Sequence, residues 1–174
     1  MNIVLTGFMA TGKTKIGKSL AELSGFSLVD TDALVEAAAG MTINEIFSEY
    51  GEERFRELET EASKKAAELD RAVISTGGGT VLKKENIDAL RKNGVIVNLA
   101  PGFEVIRARA AAAASTRPLM NGQSMDDIEK RFNERKPFYD NCDIKIKVTN
   151  EKTPSEHAEE ILEAVNEFLK NNKR

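Results

Sequence analysis

The sequence GFMATGKT, residues 7–14, is the strongest indication of the fold class of this chain. It matches the pattern G-x-x-x-x-G-K-[ST] and lies between an apolar run at residues 3–5 and a helical pattern that begins at Lys13. This position, after a strand and at the start of a helix, is the context in which the pattern forms a phosphate-binding P-loop. A chance match in such a chain is roughly a one-in-a-hundred event. The alternative is a glycine turn that only caps an ordinary helix.

The residue types in this stretch have separate tasks in binding phosphate. Glycines let the backbone curl, so that successive N–H groups and the helix N-terminus surround phosphate oxygens. Lys13 then reaches the β and γ phosphates of a nucleotide, and the Thr14 hydroxyl ligates Mg²⁺. The stretch therefore predicts that ATP binds here together with magnesium.

Length and charge exclude several classes of protein. The 174 residues are typical of one domain, and we see no repeat or linker within residues 1–174. A formal net charge of −3 gives no overall attraction to nucleic acid or to an anionic membrane. One cysteine and one histidine exclude an intramolecular disulfide and a closed zinc site. Residues 1–12, the longest uncharged stretch, are too short to span a bilayer and lack the basic start of a signal peptide. We expect a cytoplasmic protein.

Apolar runs alternate with helix-length polar segments, which predicts a βαβ series and an α/β three-layer sandwich. The predicted strands are residues 3–5, 26–29, 72–75, 95–99 and 144–148. Four of them are almost continuously apolar, as in strands buried on both faces of a parallel sheet, whereas the last alternates and is predicted at an edge. The predicted helices are residues 13–23, 31–38, 42–50, 52–69, 83–92 and 103–114, with a closing helix after a capping box at 153–156. Polar residues 115–124 predict a mobile loop.

Two acids, Asp30 and Asp32, follow the second predicted strand. Ligands of open α/β sheets bind beyond the carboxyl ends of the strands, so both carboxylates are expected to face the P-loop. One could support magnesium through water while the other accepts hydrogen bonds from a substrate hydroxyl. The alternative for Asp30 is that it only caps the next helix.

Three consecutive glycines, residues 77–79, follow the third predicted strand. Because glycine loses the most conformational entropy on folding, this run favours a site where a ligand approaches the backbone so closely that a Cβ would collide. The alternative is a tight turn from strand to helix.

Three arginines stand in settings that suit a carboxylate-bearing substrate. Arg56 lies on a predicted helix, Arg117 lies in the polar loop before a proline, and Arg135 precedes KPFY at residues 136–139. Each arginine alone is more often a solvated surface charge or a partner of a nearby glutamate. A small substrate with a carboxylate would require planar bidentate donors, which arginine supplies.

Taken in order, these elements resemble the shikimate kinase family, small P-loop kinases of the nucleoside-monophosphate-kinase type. The resemblance covers most of the chain, and its motifs are GFMATGKT at 7–14, DTD at 30–32, FRxxE at 55–59, GGG at 77–79, RPL at 117–119 and RxPxY at 135–139. It implies a central five-stranded parallel sheet in the order 2-3-1-4-5 and a lid near residues 110–125. It also implies phosphorylation of the 3-hydroxyl of shikimate by MgATP, in the route to chorismate and aromatic amino acids. We expect a monomer whose partners are shikimate and ATP, with no nucleic acid and no membrane.

The resemblance also implies a role for each matching residue. The phosphates of ATP would be held by Ala10, Thr11, Gly12, Lys13, Thr14, Lys15 and Arg117. Magnesium would be bound by Thr14, with support through water from Asp30. Shikimate would be bound by Asp32, Arg56, Gly77, Gly78, Gly79 and Arg135, of which the two arginines hold its carboxylate. The catalytic residues would be Lys13, Asp32 and Arg117.

Two positions depart from the family pattern. The family often has a glycine where Ala10 stands, and an alanine is tolerated there if its φ is negative. Many members carry an arginine that stacks on adenine seven residues before the lid arginine, but Ala110 occupies that position here. Arg109 and Lys152 are the candidates for contacts with adenine.

Two rival functions share the P-loop. A related kinase that acts on gluconate or a nucleoside monophosphate has no need of the combined Asp32, Arg56, triple-glycine and Arg135 set. A nucleotide-dependent switch without turnover is disfavoured, because the chain has no Asn-Lys-x-Asp sequence for reading guanine. The loop bearing Arg117 also resembles a lid that supplies its own arginine.

Overall fold

The computed structural model describes residues 1–113 and 124–172. Its strands are β1 (Asn2–Thr6), β2 (Ser27–Asp30), β3 (Ala72–Ser75), β4 (Gly94–Pro101) and β5 (Ile144–Val148). Its helices are α1 (Lys13–Ser24), α2 (Thr31–Ala39), α3 (Ile43–Ala67), α4 (Lys84–Arg91), α5 (Phe103–Ala113), α6 (Met125–Tyr139) and α7 (Pro154–Asn172), with a 3-10 turn at Thr80–Leu82. The five strands are parallel in the order β2-β3-β1-β4-β5, which confirms the expected sandwich and strand order.

Alternate side chains of the central strands build a core layer on each face of the sheet. On β1, Ile3 and Leu5 pack in one cluster with Ile161 of α7. Val4 points to the opposite face and packs in a second cluster with Ile87 of α4. Burial of each such side chain contributes about 1.5–3 kcal/mol. The two layers hold the sheet, and with it the loops at its carboxyl edge.

Some elements differ from their sequence predictions. β2 is not buried on both faces, because it lies at an edge of the sheet and Leu28 is 40% exposed. β5 forms the other edge and alternates between exposed and buried residues, as predicted. Helix α6 was not predicted from the sequence, since it is mostly polar and contains Pro137. The predicted helices 42–50 and 52–69 form α3, which is broken at Gly51, where φ is 79°.

The carboxyl ends of β1, β2 and β3 lie side by side. The loops that follow them carry the P-loop, the two acids and the three glycines, so these segments meet at one edge of the sheet. The predicted lid near residues 110–125 falls mainly on residues 114–123, outside the described part of the chain. Within the described residues, no helix has the length and apolar character needed to cross a membrane.

Candidate active site

The P-loop joins β1 to α1 through backbone conformations that favour glycine. A Cβ at Gly7, where φ is 149°, would lie 2.8 Å from the carbonyl oxygen of Leu99. Gly12 caps α1 with φ of 93°. Ala10 has φ of 58°, so the negative φ that would make an alanine easily tolerated here is not adopted. A left-handed conformation costs an alanine roughly 1–2 kcal/mol, which contacts around the loop must offset.

The Lys13 ammonium lies against the P-loop backbone. Its Nζ donates to the carbonyl oxygens of Gly7 at 2.7 Å and Phe8 at 2.9 Å. Burial lowers the pKa of Lys13 to about 8, while the charges of Asp32 and Asp30 act in the opposite direction. The lysine therefore remains largely protonated at neutral pH, and the two acids are near enough to influence it, as expected for a shared site.

The two acids have different surroundings. Asp30 caps α2, because its Oδ1 accepts hydrogen bonds from the backbone N–H of Asp32 at 2.9 Å and of Ala33 at 3.4 Å. Asp32 Oδ1 is buried and has no hydrogen-bond partner within the described residues. Burial raises the pKa of Asp32 to about 6; Asp30 and Glu59 add to this effect and Lys13 opposes it. Asp32 thus has a higher proton affinity than an ordinary carboxylate.

The glycine turn, residues 77–79, makes room for side chains of the site itself. A Cβ on Gly77 would lie 2.6 Å from Asp32 Oδ1, and one on Gly79 would lie 2.2 Å from Arg56 Nη1. A Cβ on Gly78 would lie 3.7 Å from the backbone nitrogen of Met9 in the P-loop. The glycines therefore allow an acid, an arginine and the P-loop to approach one backbone turn.

Arg56 is held in place by acids on its own helix. Its Nη1 donates to Glu59 at 2.8 Å, and its Nη2 donates to Glu52 at 3.1 Å. Glu59 is buried, and its other oxygen accepts from the Thr80 hydroxyl at 3.0 Å. Hydrogen bonds to these acids raise the pKa of Arg56 above its usual value against the opposing effect of burial. A buried carboxylate with two donors gives the guanidinium a defined orientation.

Helix α6 supplies the remaining side of the site. The hydroxyl of Tyr139 donates to the carbonyl oxygen of Gly78, which ties α6 to the glycine turn. Burial raises the pKa of Tyr139 to about 12, while the charges of Arg135 and Arg56 lower it and Glu59 raises it. Arg135 and Arg56 therefore both lie near this tyrosine, although they are separated widely in sequence.

The two candidates for adenine contacts make other contacts in this structure. Arg109 of α5 donates to the carbonyl oxygens of Ala10 and Thr11 in the P-loop and to Asn150. Lys152 donates to Glu160 at 2.8 Å. Their roles toward adenine stay predictions.

Several residues of this site were not predicted from the sequence, and one predicted residue lies outside the described part of the chain. Arg117 lies outside the described residues, so its contribution stays a prediction. Glu59, Thr80 and Tyr139 were not named as site residues from the sequence. The spacing of Arg56 and Glu59, three residues apart on a helix, was an available signal for the first. The partnership of Thr80 with Glu59 connects distant parts of the chain and had no local signal.

The candidate magnesium ligands offer oxygen donors of the kind that Mg²⁺ prefers. Thr14 and the neighbouring Lys15 are exposed on the first turn of α1, and Asp30 stands at the end of β2. Within residues 1–113 and 124–172, no group of three or more His, Cys, Asp or Glu side chains could hold a metal by itself. A site with few protein ligands fits Mg²⁺, which keeps several waters and is bound chiefly through substrate phosphates.

The parallel sheet, the P-loop at the carboxyl end of its middle strand and the acid–arginine cluster beside it define a P-loop kinase of small molecules. A model of the shikimate kinase family matches residues 9–166. A shikimate kinase of Caldicellulosiruptor bescii is 48% identical over 162 residues, covering 92% of this chain and 93% of the relative. One of Caldanaerobacter subterraneus subsp. tengcongensis is 50% identical over 167 residues, covering 94% and 95%.

A solved structure of a related protein indicates the same family. The structure of a shikimate kinase from Acinetobacter baumannii in complex with shikimate is 31% identical in sequence to this chain. It superimposes with a TM-score of 0.85, covering 95% of this chain and 93% of the other. The chain belongs to the shikimate kinase family.

Proposed function

We propose that this chain transfers the γ-phosphoryl group of ATP to the 3-hydroxyl of shikimate, a step in the route to chorismate and aromatic amino acids. The observation that carries the proposal is the glycine turn. It contacts the P-loop through Gly78 and makes room for Asp32 and Arg56 at Gly77 and Gly79. A phosphate donor on the P-loop and a hydroxyl acceptor beside Asp32 would therefore be neighbours.

The P-loop is the proposed site for the nucleotide phosphates. Backbone N–H groups of residues 10–15 would surround them, and the Lys13 ammonium would move from the loop carbonyls to the phosphates. Arg117 would approach from the lid segment near residues 110–125. Magnesium, bound by Thr14 and supported through water by Asp30, would neutralise charge on the β and γ phosphates.

Shikimate would lie between α3, α6 and the glycine turn. Arg56 and Arg135 would form bidentate hydrogen bonds with its carboxylate, as arginines do with planar anions. The pairing of Arg56 with buried Glu59 supports this role, because it fixes the guanidinium before the substrate arrives. Asp32 would accept hydrogen bonds from the ring hydroxyls.

Asp32 is suited to orient and deprotonate the attacking hydroxyl. Its pKa of about 6 leaves it mostly ionised at neutral pH while making it a better proton acceptor than an ordinary aspartate. Phosphoryl transfer through a loose transition state depends chiefly on alignment and on charge around the γ-phosphoryl oxygens. Asp32 would orient the hydroxyl and accept its proton late, while Lys13 and Arg117 stabilise the migrating group. Closure of the lid would exclude water and suppress ATP hydrolysis.

We also propose that the chain acts as a cytoplasmic monomer that binds neither nucleic acid nor membrane. The net charge of −3 supports this, because it provides no general attraction to polyanions. Gel filtration combined with light scattering gives the mass directly, and a value of twice 19.1 kDa would contradict the monomer.

A coupled assay of ADP release over shikimate, gluconate and AMP tests the proposed activity. We expect release of ADP that depends on shikimate alone. In the same assay Arg56→Ala should raise the KM for shikimate while leaving the KM for ATP nearly unchanged. The matched control is Arg54→Ala, because Arg54 is exposed and pairs with Glu57 away from the glycine turn. Turnover with gluconate or AMP, or none with any acceptor, would reject the proposal.

A further inference from the structure

Arg109 connects two loops that are distant in sequence. Its Nη1 donates to the carbonyl oxygens of Ala10 at 3.1 Å and Thr11 at 2.8 Å in the P-loop. Its Nε donates to Asn150 Oδ1 at 2.9 Å, and its Nη2 donates to the carbonyl oxygen of Thr149 at 3.3 Å. One planar guanidinium therefore joins the P-loop to the segment between β5 and α7, where Thr149 and Asn150 lie.

The loop on the far side of Arg109 is itself held by a buried side chain. His157 of α7 is 1% exposed, and its Nε2 lies 3.3 Å from the carbonyl oxygen of Thr149. The capping box that starts α7 fixes the same segment, since Thr153 N–H donates to Glu156 at 2.7 Å. Arg109 thus rests on a well-supported segment and can restrain the P-loop from it.

The two carbonyl contacts determine where the P-loop N–H groups point. In a planar trans peptide the C=O and the following N–H point in opposite directions. When Arg109 binds the carbonyls of Ala10 and Thr11, the N–H groups of Thr11 and Gly12 are directed away from it. Backbone N–H groups arranged around left-handed residues form an anion-binding concavity, and Ala10 and Gly12 both have positive φ.

The unfavourable backbone conformation of Ala10 explains why the P-loop would need this restraint. An alanine prefers negative φ, so a P-loop with Ala10 at φ of 58° would relax if nothing held it. Glycine populates positive φ about as readily as negative φ and needs no such restraint. Arg109 supplies contacts that oppose relaxation at the residue whose conformation is strained.

We infer that Arg109 is a positioning residue that holds the P-loop in its phosphate-binding conformation and offsets the strain at Ala10. The inference rests on the proposed role of the P-loop in binding the phosphates of ATP. Because Arg109 would act on the binding of phosphate groups, its replacement should also weaken the binding of phosphate ligands that have no adenine ring.

Titration calorimetry with magnesium tripolyphosphate and with MgATP tests the inference. Arg109→Met should weaken binding of both ligands by about tenfold, because charge-assisted hydrogen bonds that shape the loop are lost. Arg109→Lys, which keeps the charge but not the planar fork, should weaken both by a smaller factor. If Arg109→Met does not fold, as judged by thermal unfolding, the comparison rests on Arg109→Lys. The matched control on the same helix is Arg107→Met, because Arg107 pairs with Glu129 at 3.3 Å.

A second substitution tests the link to strain. Ala10→Gly in the Arg109→Met background should recover about fivefold of the lost affinity for tripolyphosphate. In the parent protein the same change should raise that affinity by a smaller factor, because Arg109 already holds the loop. Binding of shikimate should be unchanged in all four proteins, which is not expected of a general loss of folding.

The outcomes separate this inference from the proposed function. Unchanged tripolyphosphate affinity with weaker MgATP binding would overturn the inference and make Arg109 an adenine contact. If Arg109→Met lost equal affinity for tripolyphosphate and MgATP, and Ala10→Gly recovered none of it, the inference that Arg109 offsets strain at Ala10 would be overturned. A parent protein that binds neither ligand would overturn the proposed function as well.

Discussion

Replacing Asp32 with asparagine should stabilise the fold and remove most of the activity. Asp32 is partly buried beside Asp30 and Glu59, and its burial together with these charges raises its pKa from 3.8 to about 6. The folded state therefore resists ionisation of this group. Asparagine keeps the shape of the side chain and removes the charge.

The pKa of Asp32 sets the size of the expected stabilisation. The folded state holds the proton more tightly than the unfolded chain, so the free energy of unfolding falls as pH rises from about 4 to about 6 and then levels off. A rise in the pKa of Asp32 from 3.8 to about 6 corresponds to about 3 kcal/mol of lost stability when Asp32 is fully ionised. Asp32→Asn should recover about 3 kcal/mol at pH 7.5 and only about 1 kcal/mol at pH 4.5.

Urea unfolding at the two pH values measures this difference, with Glu49→Gln as a control that removes an exposed carboxylate. Steady-state kinetics should give a kcat lower by about 10²–10⁴-fold, with the affinity for ATP nearly unchanged. A difference in unfolding free energy that is below about 1 kcal/mol at pH 7.5, or that does not depend on pH, would refute the electrostatic reasoning. Equal losses of turnover and ATP affinity would refute the assigned role.

Three further predictions concern activity. The kcat/KM for shikimate should rise as Asp32 ionises through pH about 6 and fall as Lys13 loses its proton through pH about 8; a flat profile from pH 5 to 9 would contradict these assignments. Arg135→Ala should raise the KM for shikimate by about ten- to a hundredfold with nearly normal ATP binding, and an unchanged KM would reject the carboxylate contact. Gly79→Ala should raise the same KM by about tenfold, because the new Cβ would lie 2.2 Å from Arg56 Nη1 and would displace the guanidinium. Steady-state kinetics with shikimate varied checks this, and a KM within twofold of the parent value would contradict it.

The motifs that could be predicted from the sequence are those with a local pattern. The P-loop needs a strand, a glycine-rich turn, a lysine and a helix in immediate succession, and residues 2–24 supply them. Continuous apolar runs predicted four of the strands, because buried parallel strands carry such side chains, and the alternating pattern at residues 144–148 predicted the fifth as an edge strand. β2 has such an apolar run although it lies at an edge of the sheet, so the exposure of this strand could not be predicted from the run.

Features that depend on contacts between distant segments could not be predicted. The positive φ of Ala10 contradicts the local preference of alanine, and its carbonyl is bound by Arg109, 99 residues away. The triple glycine predicted that a ligand approaches the backbone closely. In the structure, the groups close to Gly77 and Gly79 are the side chains of Asp32 and Arg56. These are tertiary relationships, which no local pattern encodes.

Helix α6 was missed for a different reason. Its buried side chains are few, and Pro137 near its end is typical of a helix boundary. It is nevertheless stabilised by a capping box at its start, where the Ser124 hydroxyl accepts from Asp127 N–H at 3.1 Å. The sequence S-x-x-D at residues 124–127 was a weaker signal than the S/T-x-x-E form.

The position of the transferred phosphate shows whether the chain phosphorylates the 3-hydroxyl of shikimate. Shikimate incubated with MgATP and the protein should give one product whose phosphorus couples to the proton on carbon 3 in a phosphorus–proton correlation spectrum. This product should form with the parent protein and be strongly reduced with Asp32→Asn. Phosphate on another hydroxyl, or no phosphorylated shikimate at all, would contradict it.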